Sequence, residues 1–82
     1  MNTLCLFGSD YASPRDLHLA LKRLLSLPDY YGLNADALND CLSELPVCPA
    51  LWVRMDGPEE VISALKITAA VFRDNGADVK EL

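Results

Sequence analysis

Leu4, Cys5, Leu6 and Phe7 form a nearly unbroken apolar run that follows Asn2 and stops at Gly8-Ser9. A run this short and this continuous predicts a strand over Asn2 to Phe7 buried within a sheet. Ser13 then offers a helix cap with Pro14 in the first helical position, and Leu17, Leu21, Leu24 and Leu25 follow at helical spacing until Pro28 closes the segment. Asn34 can cap a second helix. On a wheel of about 100° per residue, Leu38, Cys41, Leu42 and Leu45 gather on one side, and Asp36, Asn39, Asp40 and Ser43 on the other.

Pro46 and Pro49 bracket a loop, and Leu51, Trp52 and Val53 predict a second strand. Asp56-Gly57-Pro58 marks a turn. Glu59 to Asp74 reads as a third helix, with acids in its first turn, an arginine near its end and Asn75-Gly76 as its stop. The last five residues, 78 to 82, offer a short edge strand anchored by Val79 and Leu82. Strand, helix, helix, strand, helix, strand is an α/β order, and right-handed crossovers close it into a small parallel sheet. The 82 residues, 51% of them hydrophobic, fit one domain over 1–82, with no internal repeat or low-complexity linker.

Charge narrows the partners. Seven Lys plus Arg against twelve Asp plus Glu leave a net charge of -5, which disfavours nucleic acid and anionic membranes and favours a basic partner. The first ten residues lack the basic and apolar regions of a secretory signal, and no apolar stretch approaches a bilayer span. Cys5, Cys41 and Cys48 have no metal-type pairing, and the lone histidine adds no zinc site, so reduced thiols in a cytoplasmic protein are the expectation.

Candidate chemistry is sparse. His18 lies between Leu17 and Leu19 on a helix, outside any nucleophile signature, and reads as a packed helix histidine. Cys5 and Cys41 fall on predicted core faces, whereas Cys48 lies in the proline loop. Asp36 and Asp40 are one helical turn apart, but no phosphate loop, histidine cluster or third acid accompanies them, so neither an enzyme nor a cofactor or metal site is expected.

A solvated helix face would explain those carboxylates, were it not that the only charged residues from Leu24 through Val53 are Asp29, Asp36, Asp40 and Glu44. The face has no neighbouring cation in sequence. Beside it stands Tyr30-Tyr31-Gly32, where burying both rings would demand a hydrogen-bond partner for each hydroxyl. An exposed aromatic beside an acidic strip is the composition of a binding surface.

Residues 16 to 42, DLHLALKRLLSLPDYYGLNADALNDCL, resemble the corresponding segment of the barstar family of intracellular ribonuclease inhibitors. The resemblance is most specific at Leu27-Pro28-Asp29-Tyr30-Tyr31-Gly32, at Asn34, at Asp36-Ala37-Leu38 and at Asp40-Cys41-Leu42. Elsewhere it rests on element order, Pro49 and Val71-Phe72-Arg73. It implies a barstar-like α/β fold, a small three-stranded parallel sheet packed with three to four helices, whose second helix and preceding loop occlude a ribonuclease active site. By position, Tyr30 would cover the catalytic histidine region, Gly32 and Asn34 would line the contact, and Asp36 and Asp40 would pair with the enzyme's cations. Asn39, Ser43 and Glu44 complete that face.

The resemblance has departures. Asn39 and Leu45 stand where the family carries tryptophans, the stretch between second strand and last helix is shorter, and Asp74 is only an approximate counterpart of the last helix's acids. The implied partner is a basic microbial ribonuclease, barnase-like or another nuclease toxin, bound one to one. A module of the same fold serving a different partner, as in an immunity pairing, is the competing expectation. A carrier protein is a weaker third, because Ala37 in Asn34-Ala35-Asp36-Ala37-Leu38 occupies the place of the serine that would hold a prosthetic arm.

Overall fold

The computed structural model describes residues 3–82, so the expected start of the first strand at Asn2 lies outside the described residues. The elements run β1 (Thr3–Phe7), a 3₁₀ turn over Gly8–Asp10, α1 (Pro14–Leu24), α2 (Ala35–Ser43), β2 (Ala50–Arg54), α3 (Glu59–Asp74) and β3 (Val79–Glu81). The three strands form one parallel sheet in the order β1-β2-β3. Leu4 stands opposite Leu51 and Leu6 opposite Val53, and β3 pairs on the other side with Leu51 opposite Val79. The fold is thus a three-stranded parallel α/β sheet with three α-helices, and only four residues separate β2 from α3, leaving no helix between them.

Burial alternates along the strands: Leu4, Leu6, Leu51 and Val53 face the helices, whereas Thr3, Cys5, Trp52 and Arg54 face solvent. The expectation of a strand buried on both sides is therefore corrected, and with it the placement of Cys5 in the core. Helices cover one face only, and the run read as continuous because the outward residues Cys5 and Phe7 are themselves apolar. Outside, the Arg54 guanidinium lies 4.6 Å from the Phe7 ring centre and the Lys80 amine 5.1 Å from that of Trp52. The cations and their aliphatic stems cover rings that no helix reaches.

The core lies between that inner face and α3, whose Val61, Leu65, Thr68, Ala69 and Phe72 are buried. Leu17 and Leu21 of α1 and Leu38 and Leu42 of α2 complete it. Helix ends follow local chemistry. Ser13 Oγ accepts the Asp16 amide at 3.3 Å, and Asn34 Oδ1 accepts the Ala37 amide at 2.8 Å, so both expected caps form. α3 stops at Asn75-Gly76 as read, with the Ala77 amide donating to the Phe72 carbonyl and Gly76 at φ +85°.

α1 ends earlier than the proline implied. It closes at Leu24 with the same motif, the Leu27 amide reaching the Lys22 carbonyl at 2.9 Å and the Ser26 amide the Arg23 carbonyl. Ser26, at φ +52°, occupies the position glycine normally takes. Pro28 comes after the stop rather than causing it, and Leu24 is left half exposed while Leu25 turns toward the core.

A clasp joins the strand ends. Asp56 accepts the Ser9 amide at 2.9 Å and the Arg54 guanidinium at 2.7 Å, and these donors, the amide foremost, hold its carboxyl below the usual range. This stabilisation is present above the ordinary carboxylate pKa and is lost as the pH falls through the folded one. Gly8 packs directly on the Asp56 carbonyl, and Gly57, at φ +88°, has room for no Cβ because the Gly8 carbonyl oxygen would lie 2.5 Å from it. Gly57→Ala is expected to lower the unfolding free energy by more than about 1 kcal/mol, and Ser26→Gly to raise it by up to about 1 kcal/mol, both read from urea midpoints at unchanged m.

Candidate partner-binding face

The loop from Leu25 to Leu33 is held at both ends by left-handed residues, Ser26 at φ +52° and Leu33 at φ +56°. The second is a branched residue in a conformation costing roughly 1 to 2 kcal/mol, offset by packing of its side chain against the core. Between them the Tyr31 amide closes a turn on the Pro28 carbonyl at 2.9 Å. The turn separates the two tyrosines. Tyr31 is buried, and its hydroxyl shares a 2.6 Å hydrogen bond with Nδ1 of the buried His18 on α1; Tyr30 is 82% exposed.

Burial pushes the His18 imidazole below its ordinary value and the Tyr31 phenol up to about 12, the latter aided by the nearby Cys41 thiol, so both partners are neutral at pH 7. The pair supplies the partner that a buried tyrosine hydroxyl needs, and it anchors the loop to α1. Sequence spacing did not reveal it, because the two residues are 13 apart on different elements.

Beyond the loop, Asn34 uses its side chain twice. Oδ1 caps α2, and Nδ2 donates to the Gly32 carbonyl at 3.1 Å. A Cβ on Gly32 would come within 3.2 Å of that same nitrogen, so Gly32 lets the loop fold onto its own cap. Asp36, Asn39, Asp40, Ser43 and Glu44 are all exposed along α2. Gly32 and Asn34 therefore lie at the N-terminal end of the strip that these five residues form, whereas Tyr30 stands on its flank toward Glu44.

Two of the five are held. Ser43 Oγ donates to the Asp40 carbonyl at 2.7 Å. Asn39 Oδ1 accepts Nδ2 of Asn75, which also donates to the Val71 carbonyl, so the end of α3 braces the middle of α2. That brace was not legible locally, since Asn75 reads only as part of a helix stop. Asp29, counted above as unneutralised, lies 3.8 Å from Lys22 of α1, a solvent-exposed pair of little energetic weight. The other ion pairs among the described residues, Arg54 with Asp56 and Arg73 with Glu81, lie elsewhere, which leaves Asp36, Asp40 and Glu44 without a cation.

The remaining candidates are structural. Cys41 is half buried, and burial, reinforced by Glu44 and Asp40, pushes its thiol up; burial does the same for the half-buried Cys48 of the proline loop. Both are held in the weakly nucleophilic thiol form. Among the described residues no three histidine, cysteine or acidic side chains gather in a metal-binding group, and no helix is long and apolar enough to cross a membrane.

A helix displaying carboxylates without ion-pair partners among the described residues, with an exposed aromatic beside it, thus sits on a small α/β fold with a one-sided parallel sheet. The sheet also sets aside the carrier reading, which requires a helical bundle. Residues 1–81 match the family model described as Barstar (barnase inhibitor), and the chain belongs to the barstar family. Over 43 residues it is 46% identical to a Bacillus subtilis (strain 168) protein named "Putative ribonuclease inhibitor YrdF", a match covering 52% of this chain and 47% of that protein. The matched segment thus spans about half of that relative's length.

Tyr31→Phe tests the anchor. It leaves His18 Nδ1 without its partner in the core and is expected to cost roughly 1 to 2 kcal/mol at pH 7. Because the folded imidazole pKa lies below the unfolded value, the neutral ring's contribution is complete above about 6.5 and declines as the pH falls through that value. Urea unfolding at pH 7.5 and 5.5 reads both effects.

Proposed function

We propose that this protein inhibits a secreted or toxin-type ribonuclease, one to one, by seating the Tyr30 to Glu44 face in the enzyme's active site. The observation that carries the reading is the row of exposed carboxylates along α2 and its C-cap, Asp36, Asp40 and Glu44, which have no ion-pair partner among the described residues and stand beside the exposed Tyr30. A cleft that binds RNA phosphates must be electropositive, so an acidic helix accelerates encounter and then occupies the substrate's charge sites. Membership of the barstar family supports the same reading.

In this mechanism the side chains divide the work. Asp36 and Asp40, about 6 Å apart along the helix axis, take the places of phosphate charges, with Asp40 as the central contact. Tyr30, free of the core, lays its ring over the enzyme's catalytic histidine region. Gly32 and Asn34 contribute backbone and the free Nδ2 hydrogen, while Asn39, Ser43 and Glu44 fill the remainder of the strip. The inhibitor performs no chemistry: occlusion suffices, it needs no cofactor, and it acts as one barstar-like unit in the cytoplasm.

One observation favours a second reading, a module of this fold directed at a partner other than a barnase-type ribonuclease. Asn39, placed where the family carries a tryptophan, is tied to Asn75 and offers a small polar contact instead of an aromatic one. A partner with a polar surface opposite α2, such as another nuclease toxin in an immunity pairing, suits that centre better.

Inhibition of a panel of microbial ribonucleases, barnase included, decides between them. The native chain is expected to inhibit at least one member, with an association rate that falls as salt rises from low to moderate. Asp40→Ala is expected to weaken that inhibition by a factor on the order of 10² to 10³, since the enzyme's cation is left buried and unpaired. Inhibition insensitive to both salt and Asp40→Ala would refute the active-site plug.

A further inference from the structure

A groove of about 390 Å³ runs between the α1–α2 loop and the C-terminal end of α2, sharing Tyr30 and Glu44 with the candidate face. Leu25, Leu27 and Pro28 line it from the loop and Cys41 and Leu45 from α2, with Tyr30 and Glu44 completing the wall; Asp36 and Asp40 are absent from the lining. The walls are largely aliphatic, with Ser26 and Cys41 adding a hydroxyl and a thiol. Glu44 is the one charged residue that lines it.

Three features of the groove select the same chemistry. The Tyr30 ring, 82% exposed, offers its face to a cation. Glu44 offers a carboxylate without an ion-pair partner among the described residues, able to accept two parallel N–H bonds. Glu44 is also the C-cap of α2, where the helix carries its negative partial charge, and the last turn contains no basic residue to offset it. A cation seated at that end would meet the carboxylate and the negative end of the helix together.

We propose that this groove is a receptor for one arginine side chain of the partner protein, its methylene stem lying on the leucine walls and its guanidinium between the Tyr30 ring and the Glu44 carboxylate. The proposal deepens the plug reading and rests on it for the partner being a basic protein. Arginine fits better than lysine because a planar, weakly hydrated guanidinium can stack on the ring and bond the carboxylate bidentately, whereas an ammonium does neither. Leu45 has a part in this. Its aliphatic side chain lines the groove beside Glu44 and offers apolar surface to the methylene stem.

The test needs no ribonuclease, so its outcome is independent of whether the plug inhibits one. The full chain, ¹⁵N-labelled, is titrated with N-acetyl-arginine amide, its neutral isostere N-acetyl-citrulline amide and N-acetyl-lysine amide. The arginine probe is expected to shift the amide signals of Leu27, Tyr30, Glu44 and Leu45 saturably, leaving the Trp52 indole on the outer sheet face unmoved. Glu44→Gln is expected to weaken that binding roughly fivefold, and Tyr30→Ala about two- to fivefold. Both positions are exposed, so neither variant threatens the fold. Equal responses to citrulline or lysine, shifts confined to Asp36 and Asp40, or no saturable shift at all would overturn the proposal.

Discussion

Everything in this small fold depends on the apolar stripe of α3 being covered from several directions. Val61, Leu65, Ala69 and Phe72 meet the inner face of the sheet, and α1 and α2 both pack against the same helix. With only three strands there is one layer of core, so no element can bury its apolar face without α3. The helix that carries the acidic strip is positioned by the helix at the centre of the core. Its middle residue, Asn39, is bonded to the terminal Asn75 of that same support.

The sequence was most readable where chemistry is local. α3 could be bounded at Glu59 and Asp74 because acids, an arginine and Asn75-Gly76 mark its ends, and α2 could be oriented because Asn34 fixes where it starts and its leucines fix which side is inward. Membership in the family followed from residues 16 to 42, and the parallel sheet from the order of strands and helices. What escaped were relations between elements. Cys5 looked internal because nothing in one strand tells how many of its faces a neighbour covers. Ser26 was passed over because a serine rarely takes the left-handed position that glycine prefers, and so the proline after it was credited with ending α1.

The candidate face shows the same division. Its carboxylates stood out in the sequence by composition, and Tyr30 was told from Tyr31 only through the family resemblance, whereas the devices that hold the face are long-range: His18 gripping Tyr31, and Asn75 gripping Asn39. These bonds spare the face part of the ordering entropy that binding would otherwise exact. The loop is fixed before any partner arrives. Its exposed acids, in contrast, have no ion-pair partner among the described residues.

The outer face of the sheet carries a practical consequence. Trp52 is the only tryptophan in the chain, and it lies 43% exposed beneath the Lys80 amine, on the side the helices leave bare. Its indole emission therefore reports on the pairing of β2 with β3 and on the registry of Lys80 above it, and is blind to events on α2. Fluorescence measured on this chain is a gauge of whether the sheet is intact, and the docking of a partner must be followed by a probe placed elsewhere.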